Sequence, residues 1–196
     1  MDFTRLELQM QFIKEIDKIK QIIRQNHLAD SSRRENDAEH SWHLAMIVVI
    51  LSEYFQNIDL LKALKMVLIH DLIEIYAGDT FAYDEKENES KSQREKIAAD
   101  KIFGFLPQDQ SDELSSLWHE FENAESPEAI FSNIADRIQP LILNISSKGK
   151  MWIDKKVTME KVVNRNSIVL NKGPKIIADY ILKQINEANE NNYFYK

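Results

Sequence analysis

Apolar residues recur along most of this chain at i, i+3, i+4 and i+7, the spacing that places them on one face of an α-helix. The stretches "LELQMQFIKEIDKIKQII", "SWHLAMIVVILSEYF" and "LLKALKMVLIHDLIEIY" carry the pattern most fully. It predicts helices over about 4–25, 37–55, 59–76, 90–103, 111–123, 127–146, 159–168 and 174–189. Strand-like alternation is scarce, and four glycines and four prolines leave little punctuation for a many-stranded protein. No repeat of 20 to 50 residues is visible. The expected fold is all-α: one compact multi-helix domain over residues 1–196, with its core over about 5–180. Three pieces lack periodicity: the acidic loop "GDTFAYDEKENES" (78–90), the turn "SSKGK", and the tail "NENNYFYK". Residues 189–196 are expected to fray, although their aromatic rings could pack. Loop 78–90 reads equally as a lid over a site or as a solvated connector.

Three of the predicted helices break their own pattern. In "VLIHDLIEIYAGDT" an apolar run contains His70 and Asp71 side by side, Glu74 one turn later, and Asp79 after a glycine. In "RRENDAEHSWHLAMIVVIL", Asn36 as N-cap and Glu39 three residues on resemble a capping box, and His40 lies in the first or second turn. In "AIFSNIADRIQPLILN", Asp136 sits among Ile134, Ala135, Ile138 and Leu141, and Pro140 four residues later should kink the helix. Burying ionisable groups without partners costs several kcal/mol. Any one of them could be satisfied locally: a lone helical His is usually a core or boundary residue, and Arg137 adjoins Asp136. Two imidazoles and two carboxylates on three apolar helices also compensate one another around a divalent cation. Adjacent His and Asp lie about 100° apart on a helix, so both reach a metal only at the edge between them. Spacing alone leaves a metal site and local satisfaction both open.

Charge and composition narrow the function classes. The formal net charge is −7 with scattered basic residues, so no nucleic-acid polymer is an expected partner, while small anionic ligands remain possible. The absence of cysteine removes disulfides, thiolate metal sites and cysteine nucleophiles. There is no run of about 18 uncharged apolar residues and no signal-peptide centre near the start, so no membrane association and a cytoplasmic location are expected.

The order H…HD…D, with the adjacent pair on an apolar helix, resembles the HD-domain superfamily of metal-dependent phosphohydrolases. The words "SRRENDAEHSWHLA", "KMVLIHDLIEIYAGDTFAYDE" and "ADRIQPLILN" look like its subfamily related to the 5′-deoxynucleotidases, with similarity over about residues 5–180. The resemblance implies an HD domain whose metal site lies between central helices, with His40, His70, Asp71 and Asp136 as ligands. The implied cofactor is one divalent ion, with Mn, Co, Fe, Ni, Zn and Mg all compatible with the donor set. It also implies that Glu74 orients or deprotonates the attacking water and that Asp79 assists near the substrate. Both have an ordinary alternative, Glu74 as a solvated salt-bridge residue and Asp79 as turn chemistry.

Arg33 and Arg34 precede the helix of His40, where free N–H groups and the helix dipole favour an anion, so one of them is the candidate phosphate clamp. His43, one turn after His40, is outside the family's ligand pattern and reads as structural or supporting. His27 and His119 read as boundary residues, and Trp42, Trp118 and Trp152 as core or interface anchors.

The expected activity is phosphomonoester hydrolysis of nucleoside 5′-monophosphates by metal-activated water, on a small phosphorylated metabolite or nucleotide, in a homodimer. The alternatives are a phosphodiesterase or pyrophosphohydrolase on the same scaffold, a non-catalytic metal-dependent nucleotide sensor, and a metal-free helical module. The segment "RQNHLADSS" does not reproduce the Arg-Trp pattern with which the deoxynucleotidases read their sugar, so the resemblance implies no deoxyribose preference. The "GYP" word of cyclic-dinucleotide phosphodiesterases is absent. So is a G-x-x-x-x-G-K-[ST] loop, which argues against a nucleotide-driven motor or a kinase.

Overall fold

The computed structural model describes residues 3–84 and 91–196. The N-terminal helical pattern does not run to residue 25. α1 (Thr4–Glu15) tightens into a 3-10 turn over Ile16–Gln21 and gives way to β1 (Ile23–His27), which pairs antiparallel with β2 (Arg34–Asn36). The β-branched pair Ile22 and Ile23 favours extended backbone at the switch. Asp30 makes the connecting turn by accepting from the Ser32 N–H at 2.9 Å, with Ser31 at φ 62°. This small ribbon is the departure from an all-helical chain, and it carries Arg24 and Asn26 toward the helices on one of its faces.

α2 (Asp37–Leu51) starts with a complete capping box: the Asn36 side chain accepts from the Glu39 N–H, and the Glu39 carboxylate accepts from the Asn36 N–H. α3 (Leu60–Ile69), capped by Asp59, continues into a 3-10 turn over His70–Ile73 and then α4 (Glu74–Ala77). The tightened turn falls on the His-Asp pair and changes the angle between the two side chains from that of a smooth helix. Gly78, at φ 77°, stops the segment.

Four more elements lead up to the 150s: α5 (Lys91–Phe103), α6 (Gln108–Asn123), α7 (Pro127–Ser146) and the short α8 (Lys150–Asp154). α7 contains Pro140 and continues past it for six residues. The helix expected over 159–168 is two, α9 (Met159–Arg165) and α10 (Ser167–Lys172), separated at Asn166, and α11 (Lys175–Glu190) follows.

α2, α3 and α7 pack on one another through Leu44, Val48, Ala63, Val67, Phe131 and Ala135, all fully buried. Phe55 stacks on Phe131 with ring centres 3.9 Å apart. One flanking cluster joins Met66, Ile102, Phe103, Trp118 and Phe121, and the other joins Ile134, Trp152, Val169, Ile181 and Ile185.

The tail expected to fray is docked instead. Phe194 is buried and stacks on Trp152 at 4.6 Å, and the Tyr195 N–H donates to the Val157 carbonyl at 3.0 Å. Gly149 makes room for it, since a Cβ there would lie 2.0 Å from the Tyr193 carbonyl oxygen. Among the described residues no helix is long and apolar enough to cross a membrane.

Candidate metal centre

His40, in the first turns of α2, His70 and Asp71, in the 3-10 turn after α3, and Asp136, midway along α7, converge where the three helices meet, all buried. His40 Nε2 lies 3.1 Å from Asp136 Oδ1 and 3.6 Å from Asp71 Oδ2. His70 Nε2 lies 3.1 Å from Asp71 Oδ1 and 3.8 Å from Asp136 Oδ1.

The other ring nitrogens assign the tautomers. His70 Nδ1 is 3.0 Å from the Val67 carbonyl, an acceptor only, so Nδ1–H donates there. His40 Nδ1 is 2.9 Å from Gln139 Oε1, and the Gln139 amide is oriented because its Nε2 donates to Glu35 Oε2 at 2.7 Å. Both Nε2 atoms therefore present lone pairs to carboxylate oxygens, and His70 Nε2 has no hydrogen-bond partner. Acceptors converging in a buried space repel unless a cation lies among them. This donor set, two neutral imidazoles held from behind and two carboxylates, fits a divalent metal ion.

Electrostatics agree with that geometry. Burial opposes a charged His70, but the carboxylates of Asp71 and Asp136 overcome it and push the imidazole up to about 10, so that a proton at Nε2 competes with a cation for the same oxygens. At His40 burial wins, aided by the nearby Arg24 charge, and the pKa falls. Burial alone would raise Asp71 and Asp136, yet His70 and Arg24 for the first, and Arg137 and the two imidazoles for the second, hold both below the usual carboxylate range.

A second carboxylate group adjoins the first. Asp37, Asp71 and Glu74 bring their oxygens within 4.8 Å of one another, and Arg24 from β1 compensates them, donating to Asp37 at 3.0 Å and Asp71 at 2.7 Å. Burial, with the charges of Asp71 and Asp37, raises Glu74 well above its ordinary range, and its Oε2 has no hydrogen-bond partner. Burial pushes Glu35 up to about 7 against Arg24, and burial and Asp71 do the same to Asp37.

His70, Asp71 and Asp136 form one wall of a cavity of about 180 Å³ lined also by Asp79, Phe81, Tyr83, Arg137, Trp152 and Arg165, with His40 buried behind them. Glu74 and Asp79 both line this cavity, and Asp79 acts electrostatically on Arg24 and Glu74. Residues 79–83 of the acidic loop line the cavity, while 85–90 lie outside the described residues.

Arg33 and Arg34 do not line the cavity. The capping box already satisfies the N-terminus of α2, and Arg33 is an exposed partner of Glu39 at 2.8 and 2.5 Å. Arg34 is exposed on β2. The arginines at the cavity are Arg24, Arg137 and Arg165. His43 accepts from the Gln139 amide at 3.3 Å. Trp118 and Trp152 are buried, whereas Trp42 is 65 % exposed.

Comparison with known proteins agrees with this arrangement. An HD-domain family model matches residues 16–177. A crystal structure described as a predicted metal-dependent phosphohydrolase from Magnetospirillum magnetotacticum is 43 % identical, covers 98 % of this chain and 97 % of that one, and superposes with a TM-score of 0.91. A protein from Pyrococcus furiosus shares the fold at 24 % identity and a TM-score of 0.62, over 92 % of this chain and 99 % of that one. The 5′-deoxynucleotidase HDDC2 of Homo sapiens is 28 % identical over 134 residues, 68 % of this chain, and the chain spans 65 % of that relative's length. The HDDC2 of Dictyostelium discoideum is 30 % identical over 55 % of this chain and 60 % of its own length. With the H…HD…D residues gathered at one point and the family match spanning most of its length, this chain belongs to the HD-domain family.

Proposed function

We propose that this chain is a metal-dependent phosphohydrolase, and specifically a phosphomonoesterase acting on nucleoside 5′-monophosphates with one divalent ion. One observation carries the reading: two imidazole lone pairs and two carboxylates point at one another beside a cavity that His70, Asp71 and Asp136 line, with Glu74 one turn away. The names of the relatives support the same class, those of the HDDC2 proteins for nucleotides and that of the Magnetospirillum protein for metal-dependent phosphate chemistry. A divalent ion bound there supplies Lewis-acid polarisation of the phosphoryl group and a water of lowered pKa.

The chain's own residues supply the rest. Gln139 and the Val67 carbonyl fix the two imidazoles in the ligating tautomer. Glu74, raised by burial and neighbouring carboxylates, lines the cavity with its unpartnered Oε2 as the acceptor for a proton of the attacking water. Asp79 stands at the cavity beside it. Arg24 orders the carboxylate cluster through its hydrogen bonds to Asp37 and Asp71. The same proposal includes a homodimer, supported by the outward stripe of α2, where Trp42, Met46 and Ile50 are 65, 41 and 62 % exposed.

The test is inorganic phosphate release from a panel of ribo- and deoxyribonucleoside monophosphates. The enzyme is stripped with chelator and reloaded with Mn, Co, Fe, Ni, Zn or Mg in turn, with Asp71→Ala alongside. Metal-dependent release, lost by about 10³-fold or more in the variant, is the expected result. No release by folded protein carrying bound metal would overturn the monoesterase reading.

A further inference from the structure

Three arginines line the cavity, and they differ in what their charges meet. Arg24 donates to Asp37 and Asp71 and lies 3.6 Å from Glu35. Arg137 is paired with its neighbour Asp136. Arg165, the last residue of α9, makes no hydrogen bond and no ion pair within 4 Å among the described residues, although it is only partly exposed and lines the same cavity.

What surrounds its guanidinium is not compensating. Burial and the charge of Arg137 weigh against its protonated form, with Asp136 and Tyr83 acting the other way, and the balance lowers its pKa to about 10. Arg24 shows the opposite outcome, its carboxylate neighbours outweighing burial and raising it further. A buried planar cation costs free energy unless an anion accepts its hydrogen bonds. The two guanidiniums of Arg137 and Arg165 come from α7 and α9, and Asp136, a proposed metal ligand, is a counter-charge common to both.

We propose that Arg165, backed by Arg137, forms the anion subsite that receives the non-reacting oxygens of a substrate's phosphoryl group beside the His-Asp centre, so that Arg165 fills the role the sequence suggested for Arg33 or Arg34. This rests on the phosphohydrolase reading above. The break between α9 and α10 at Asn166 supports the placement: the Asn166 amide donates back to the Val162 carbonyl at 2.8 Å, closing α9 so that its last side chain lines the cavity. A guanidinium suits the task because its fork of N–H donors matches two phosphoryl oxygens, whereas an ammonium offers a point charge.

The experiment uses the whole chain as Arg165→Gln and Arg165→Lys, with Arg33→Gln as a control, each checked for fold by circular dichroism and for metal by elemental analysis. Inorganic phosphate binding is measured by titration calorimetry, and KM and kcat with a nucleoside 5′-monophosphate. The expected result for Arg165→Gln is unchanged metal content with phosphate affinity weakened by about 10- to 100-fold, the scale of one lost charge-assisted contact, and KM raised in parallel. Arg165→Lys should recover part of the loss, and Arg33→Gln should match wild type. Unchanged phosphate affinity and KM in a folded, metal-loaded Arg165→Gln or Arg165→Lys overturns the subsite while leaving the hydrolase reading intact. Wild type that binds phosphate through Arg165 yet releases none from monoesters keeps the subsite and overturns that reading. Wild type that does neither overturns both.

Discussion

Two parts of this molecule solve burial in opposite ways. Between α7 and α11 the interior is apolar throughout: Ile134, Trp152, Val169, Ile181 and Ile185 fill it, and Phe194 closes it from the chain end. At the junction of α2, α3 and α7 the helices pack equally closely, yet they enclose His40, His70, Asp71, Glu74, Asp136 and Gln139. The apolar region gains stability from every methylene it hides. The polar region spends some of that gain to hold acceptors against one another, and a positive charge among them, a metal cation or the proton of His70, makes the arrangement favourable. Substitutions should therefore cost stability in the first region and function in the second.

The largest separation is expected from Glu74→Gln, which keeps the size of the side chain and removes the base. It should lower kcat by about 10²- to 10⁴-fold with metal retained, read by phosphate release beside elemental analysis. Ile185→Ala is the counterpart in the apolar region. It should destabilise the chain by about 2–5 kcal/mol in denaturant unfolding while leaving KM at low temperature unchanged.

Acidity sharpens the contrast further. In the metal-free chain Glu35 and Asp37, pushed up to about 7, and His70, pushed up to about 10, hold more protons folded than unfolded. Their combined effect is stability that falls as pH rises, from the ordinary carboxylate range through 7 for the acids and from 6.5 to about 10 for His70. The melting temperature without metal should therefore drop between pH 5 and pH 9, and a divalent ion should restore more of it at the alkaline end, where fewer protons compete. The smallest effect belongs to Arg33→Ala, which removes an exposed pair with Glu39 and should change kcat/KM by less than about twofold.

How much of this could be read from the chain depended on whether a residue contradicted its surroundings. His70, Asp71 and Asp136 stood out because they interrupt apolar helical runs, and His40 because it sits just inside a legible capping box. Arg24 gave no such signal: it lies in a polar stretch that continued a helical pattern, and a five-residue strand is too short for periodicity to reveal. Gln139 and Glu35 were silent for the same reason, since a long helix and a three-residue strand bring them together across 104 positions. The place of Arg33 away from the cavity was legible in part. Glu39, already expected to cap α2, stands within reach of Arg33 and takes its charge. Arg165 carried no signal within the helix expected over 159–168, and it is the break at Asn166 that accompanies its place at the cavity. The docked tail followed from its aromatics, whose partner Trp152 lies on a helix of only five residues.

The most direct measurement is the divalent metal content of the gently purified protein, by elemental analysis, for wild type and for His40→Ala. One equivalent in wild type and a loss of most of it in the variant, with both folded, is the predicted result. A folded wild-type chain that holds no divalent ion after equilibration with any of the candidate metals would contradict the proposal that His40, His70, Asp71 and Asp136 are arranged around a cation.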